Sequence, residues 1–155
     1  MANWKRRMLF LARHIAAWSK DGSTKCGCVI TGPRNEIRTT GYNGLPRGVD
    51  RYDDEATVSQ RPEKYYWFEH AERNAIYNAA RMGISLEGCT AYVTGPLCAD
   101  CARGIIQAGI EAVFFPHDHE FGAGWMINER WLDSCNRAIL MLNEAGVTYE
   151  PVEGM

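Results

Sequence analysis

The chain has 155 residues, 46% hydrophobic and 23% charged, with a formal net charge of -2. That length suits one domain over residues 1–155 with a single core. The charge excludes a protein built to coat a polyanion, because neutralising many phosphates needs a surplus of Lys and Arg, whereas a small anionic ligand needs only one or two cations.

Met8, Leu9, Leu11, Ile15 and Trp18 recur at helical spacing and predict an amphipathic helix over 3–19, with Lys5, Arg6, Arg7 and Arg13 on its solvated face. Those cations interrupt any apolar run before Ala17, so the opening segment reads as neither a signal peptide nor a membrane span, and a cytoplasmic location is expected. Asp21-Gly22-Ser23 breaks the helix. Cys26 to Thr31 reads as a mostly buried strand, Gly32-Pro33-Arg34-Asn35 as a hairpin turn, and Glu36 to Tyr42 as the partner strand. From Asn43 to Phe68 no period is sustained, and Gly44, Pro46, Gly48 and Pro62 punctuate the stretch. A connection this long inside one domain is expected to be functional, and it runs directly into His70.

Ala71 to Met82 reads as a helix with Ala71, Ala75, Ile76, Ala79 and Ala80 on its inner face and Gly83 as its stop. Thr90 to Thr94 is a buried strand, Cys98 to Ala108 a helix closed by Gly109, and Glu111 to Phe115 a short strand. Asn128 to Ala145 is a last helix and Val147 to Val152 a last strand. A hairpin followed by alternating helices and strands predicts a five-stranded mixed sheet in a three-layer α/β/α sandwich.

The six cysteines, at 26, 28, 89, 98, 101 and 135, would make three disulfides in a secreted chain. In the cytoplasm they are expected to be ligands or core thiols. His70-Ala71-Glu72 and Pro96-Leu97-Cys98-Ala99-Asp100-Cys101 supply one imidazole and two thiolates, three corners of a zinc tetrahedron. Both segments open helices, where partial positive charge and free N–H groups favour thiolate. A carboxylate two residues after the histidine can move protons of a water that such an ion would acidify, and the spacing is close to H-x-E followed by P-C-x-x-C, the zinc-deaminase signature. A structural zinc clip or a redox pair is the alternative for Cys98 and Cys101, but a structural site is normally closed by a fourth protein ligand.

His70-Ala71-Glu72-Arg73-Asn74-Ala75-Ile76 with Cys98-Ala99-Asp100-Cys101 resembles the cytidine and deoxycytidylate deaminase superfamily. Gly41-Tyr42-Asn43-Gly44-Leu45-Pro46-Arg47-Gly48 resembles its deoxycytidylate (dCMP) deaminase branch, and the similarity runs from Ser19 to Val113. The resemblance implies a cytidine deaminase-like fold and one catalytic Zn2+ held by His70, Cys98 and Cys101, with Glu72 as proton shuttle. It further implies that Asn43 bonds the sugar or base, that the loop around it meets a 5′-phosphate, and that the protein is a homo-oligomer. Arg47 and Lys25 are the cations best placed in sequence to hold that phosphate, Arg47 as a bidentate fork. The family has Pro directly before the first thiolate, whereas here Leu97 intervenes and Pro96 stands one place earlier, which alters the wall facing the leaving amine without removing the metal.

The expected reaction is deamination of dCMP to dUMP and ammonia on a small pyrimidine nucleotide, with neither membrane nor long nucleic acid as partner. Cytidine, deoxycytidine, dCTP or a base in RNA are alternative carriers, and a zinc-stapled, non-catalytic nucleotide-binding relative is the alternative of another class. Tyr65, Tyr66, Trp67 and Phe68 could stack a pyrimidine, though such a run more often serves a core or a subunit contact. His117 and His119 could join a second zinc, and Trp125, with Gly122 and Gly124 close before it, reads as a flap or an oligomer contact.

Overall fold

The computed structural model describes residues 3–51, 58, 60–117 and 129–153, the Arg130 side chain apart. Helix α1 (Trp4–Ala16) leads into strands β1 (Gly27–Thr31) and β2 (Ile37–Tyr42), followed by a one-turn helix α2 (Lys64–Trp67). Then come α3 (Ala71–Met82), β3 (Thr90–Val93), α4 (Ala99–Gln107), β4 (Ala112–Pro116), α5 (Glu129–Glu144) and β5 (Thr148–Val152). The sheet order is β2-β1-β3-β4-β5. Strand β1 is antiparallel to both neighbours, whereas β3, β4 and β5 are parallel and are joined by the crossovers that parallel strands need, α4 and α5.

Successive strand residues point to opposite faces. Cys28, Ile30, Ala91, Val93 and Val113 join a core with α3, α4 and α5. Val29, Tyr92 and Phe114 pack on the other face against Met8, Leu9, Ala12 and Ile15 of α1. The result is the expected three-layer sandwich with a mixed five-stranded sheet. Two glycines set how closely the layers approach. A Cβ at Gly27 would collide with the Ala12 carbonyl of α1, and one at Gly41 with the Ala71 carbonyl of α3.

Expected and observed element ends differ mostly by a residue or two, as helix and strand ends commonly do. Residues 17–19 leave α1 because Trp18 and Ser19 bond to Ile15 and Ala16 in a tightened three-residue turn. On α3, Ala80 is exposed, and the buried stripe is Ala71, Glu72, Ala75 and Ala79. Glu72 holds a core position because that flank of the helix faces a pocket. Helix α2 stands in the stretch where no period was evident, since four residues are too few to register one. Among the described residues no helix is long and apolar enough to cross a membrane.

Candidate active site

Two helix starts meet at the C-terminal end of β3. His70 is the N-cap of α3 and Cys98 the N-cap of α4, both in extended conformation and neither capping with its side chain. Their side chains are therefore available to face each other. His70 Nδ1 lies 3.4 Å from Cys98 Sγ and 3.4 Å from Cys101 Sγ, and the three ligand atoms fall within 4.8 Å of one another. A tetrahedral zinc with Zn–N about 2.0 Å and Zn–S about 2.3 Å requires N···S edges of about 3.5 Å. The donor set and its spacing fit zinc, and among the described residues this is the one cluster of three that does.

The electrostatics favour a cation there. A hydrogen bond from Cys101 and contact with His70 hold the Cys98 thiol down at about 4, against the effect of burial. Cys101, bonded to that thiolate and buried, is pushed well above the usual thiol range. Burial opposes a charged His70, yet its hydrogen bond to Cys98 and the nearby Glu72 raise its pKa overall. Burial likewise raises the Glu72 carboxyl, partly offset by His70. Glu72 is 8% exposed, and its Oε2 lies 3.4 Å from Cys101 Sγ. A buried carboxyl thus stands beside a three-ligand cluster that does not include it.

The Gly41–Gly48 motif buttresses this cluster. Gly44 and Glu69 exchange two backbone hydrogen bonds of 3.1 and 2.8 Å, which pins the motif to the residue before His70. Asn43 is buried, and its side chain is committed to the protein. Its Oδ1 accepts from the Cys26 N–H at 2.7 Å, and its Nδ2 donates to Thr24 O at 2.8 Å and Asp21 Oδ2 at 3.2 Å. One lone pair of Oδ1 is the capacity left for a ligand.

A pocket opens over the cluster. His70, Glu72 and Cys98 form one side, Tyr65, Phe68 and Trp131 bring aromatic surface, and Asp21, Asn43, Arg61 and Lys64 bring polar groups. Trp131 meets the His70 ring edge-on at 5.9 Å and the Tyr65 ring at 5.8 Å. Of the aromatic run, Tyr65 and Phe68 reach the pocket, whereas Tyr66 is 83% exposed. Cys26 and Cys135 also line it, and Cys28 and Cys89 are buried in the core.

The expected phosphate cations lie elsewhere. Arg47 is exposed and donates to Asn78 Oδ1 of α3 at 2.8 Å, and Lys25 is exposed; neither lines the pocket. Arg61 and Lys64 do, and sequence reading passed over both. Two cations within the ten residues before His70 were the available signal. Trp131 and Cys135 gave no such signal, because helical periodicity accounts for both. His117 directly follows β4, with its N–H on Val152 O, while His119, Gly122, Gly124 and Trp125 lie outside the described residues.

Residues 2–117 match the family model of the cytidine and deoxycytidylate deaminase zinc-binding region. An uncharacterized deaminase in the luxG 3′ region of Aliivibrio fischeri is 38% identical over 155 residues, covering 99% of this chain and 97% of that protein. Deoxycytidylate deaminase of Homo sapiens is 34% identical over 151 residues, covering 94% of this chain and 78% of that protein. Among solved structures, dCMP deaminase from the cyanophage S-TIM5 in complex with dCMP and dUMP gives a TM-score of 0.73 at 25% identity, covering 98% of this chain and 99% of that one. Because the matched region contains both helix starts that bring the ligands together, the chain belongs to the cytidine and deoxycytidylate deaminase family.

Proposed function

We propose that the protein, as one domain spanning the chain, converts dCMP and water to dUMP and ammonia. The observation that carries this reading is the zinc-fitting triad beside a buried proton carrier in a pocket that also holds a cation. The similarity to human deoxycytidylate deaminase, over 94% of this chain and 78% of that protein, supports the choice of substrate. Zinc held by His70, Cys98 and Cys101 supplies Lewis acidity and lowers the pKa of a water to about 7.

The protein's own groups do the rest. Glu72 takes one proton from the water that adds to C4 of the pyrimidine and passes it to the ring nitrogen. It then takes the second from the new C4 hydroxyl and gives it to the amine as the C4–N bond breaks, leaving the carbonyl of dUMP and ammonia. Its raised pKa suits a group that must both accept and return a proton. Trp131, Tyr65 and Phe68 enclose the base and limit water. Asn43 accepts from a sugar hydroxyl through its remaining lone pair, and the Arg61 guanidinium takes the 5′-phosphate. Lys64 is held by Asp21 and shapes the wall beneath them.

The test is a panel of dCMP, CMP, deoxycytidine, cytidine and dCTP followed by loss of cytosine absorbance. The zinc-loaded enzyme is expected to show its highest kcat/KM on dCMP. Arg61→Ala is expected to raise the KM for dCMP by about 10- to 100-fold, the loss of a charge-assisted hydrogen bond, with deoxycytidine turnover unaffected. A larger rise for Arg47→Ala or Lys25→Ala would move the phosphate to one of those cations. Turnover of deoxycytidine without turnover of dCMP would overturn the substrate assignment.

The assembly we propose is a cytoplasmic homo-oligomer. Trp18 and Tyr42, 54% and 39% exposed with rings 6.2 Å apart, form an uncovered aromatic patch beside the edge strand β2. Light scattering is expected to give a multiple of the protomer mass; a protomer mass at working concentration refutes the assembly.

A further inference from the structure

The loop that carries Cys98 is buried, and its backbone donors find their acceptors in the last part of the chain. Leu97 is 1% exposed, so its N–H cannot turn to water. It donates to the Tyr149 hydroxyl of β5 at 3.1 Å. One residue after Cys98, the Ala99 N–H donates to Ser134 Oγ of α5 at 2.9 Å. Cys98 cannot cap α4 itself, because its sulfur faces His70 and Cys101. Ser134 therefore caps that helix from a different element. Both acceptors lie beyond residue 117, where the family match ends.

This bears on the place where the sequence departs from its family. A proline directly before the first thiolate has no N–H. With Leu97 there, one more buried donor needs a partner, and the Tyr149 hydroxyl supplies it. The tyrosine is itself fixed, its ring stacked on Phe115 at 4.6 Å. Burial raises its pKa, so the hydroxyl stays neutral at working pH.

We infer that Tyr149 and Ser134 are positioning residues for the metal, holding the Cys98 loop by the two N–H groups that flank the ligand, with Tyr149 serving the donor that Leu97 introduces. Groups of this kind orient ligands and set how tightly a metal is kept. The inference rests on the assignment of His70, Cys98 and Cys101 as zinc ligands and not on the identity of the nucleotide.

The experiment follows zinc transfer from the holoenzyme to excess chromogenic chelator. Tyr149→Phe retains the ring on Phe115 and removes only the acceptor. It is expected to release zinc about 10- to 100-fold faster than the wild type, with Ser134→Ala shifted in the same direction. Leu97→Pro in the Tyr149→Phe background deletes the orphaned donor and is expected to bring release back to within about threefold of the wild type. Leu97→Ala in that background keeps the N–H and is expected to rescue nothing. Wild-type release by Tyr149→Phe, or rescue by Leu97→Ala as complete as by Leu97→Pro, would overturn the inference. If the wild type holds no zinc at all, the ligand assignment fails instead, so the two failures are distinguishable.

Discussion

Glu72→Ala is expected to lower kcat on dCMP by about 100- to 10,000-fold, the usual contribution of a positioned acid-base group, while zinc content and fold persist. Metal retention follows because His70, Cys98 and Cys101 form the ligand cluster without the carboxylate. Fold retention follows from burial. Glu72 is 8% exposed and its pKa is raised by desolvation, so it is a group the fold tolerates at a cost. Deleting it should leave the melting temperature unchanged or higher. Glu72→Gln keeps the shape and loses the proton, and is expected to match Glu72→Ala in turnover. The measurements are absorbance loss on dCMP, zinc content and a thermal melt of each variant. Undiminished turnover would remove Glu72 from the chemistry; loss of zinc together with turnover would make it a ligand. A non-catalytic relative that keeps zinc only as a staple would show no wild-type turnover to lose.

Local signals made α3 and the metal ligands legible in the sequence. Helix α3 has the bounds its pattern gives, Ala71–Met82, and Gly83 ends it in the left-handed region at φ 67°. His70 and Cys98 were found because ligand spacing along a chain is fixed by where helices start. The layer order was legible for a similar reason, since alternating strands and helices after a hairpin leave few sheets to choose from. What stayed hidden depends on contacts between distant segments. Lys64 meets Asp21 across 43 residues, and Leu97 meets Tyr149 across 52. Neither pair has a period, and each residue alone reads as an ordinary surface lysine or strand tyrosine. Arg47 stands within the motif in sequence but is not among the residues that line the pocket. Its exposed guanidinium donates to Asn78 Oδ1 of α3. One hidden contact did leave a trace: Leu97 before Cys98, in place of a residue with no N–H, signalled that some acceptor had to be supplied from outside the motif.

Breaking the Asp21–Lys64 pair from one side is expected to destabilise the protein by about 3–5 kcal/mol, because it leaves a buried charge without its partner. The pair is 2.6 Å apart, with side chains 5% and 8% exposed. Lys64 Nζ also donates to Ser23 Oγ, and Asp21 accepts from Ser23 N–H and Asn43 Nδ2. Lys64→Met should therefore lower the urea midpoint with little change in slope, and Asp21→Asn should do the same. The double variant should recover much of the loss, since neither charge remains. Acid should narrow the gap between wild type and Lys64→Met. Burial alone would raise the Asp21 pKa, but hydrogen bonds from Lys64 and Ser23 hold it below the ordinary value of 3.8. The stability Asp21 contributes is thus complete above that value and is lost as pH falls through its lower folded pKa. Once protonated, Asp21 no longer needs Lys64, so a gap that stays constant from neutral pH down into that range would show that the ion pair is not what Lys64 contributes. The consequence reaches the pocket. Asn43 is anchored to the same carboxylate, and Asn43 ties the loop before β1 to the motif that pins Glu69. In the single variants, a KM for dCMP that rises while kcat holds would mark the pair as a support for the nucleotide-binding wall; unchanged kinetics would confine it to stability.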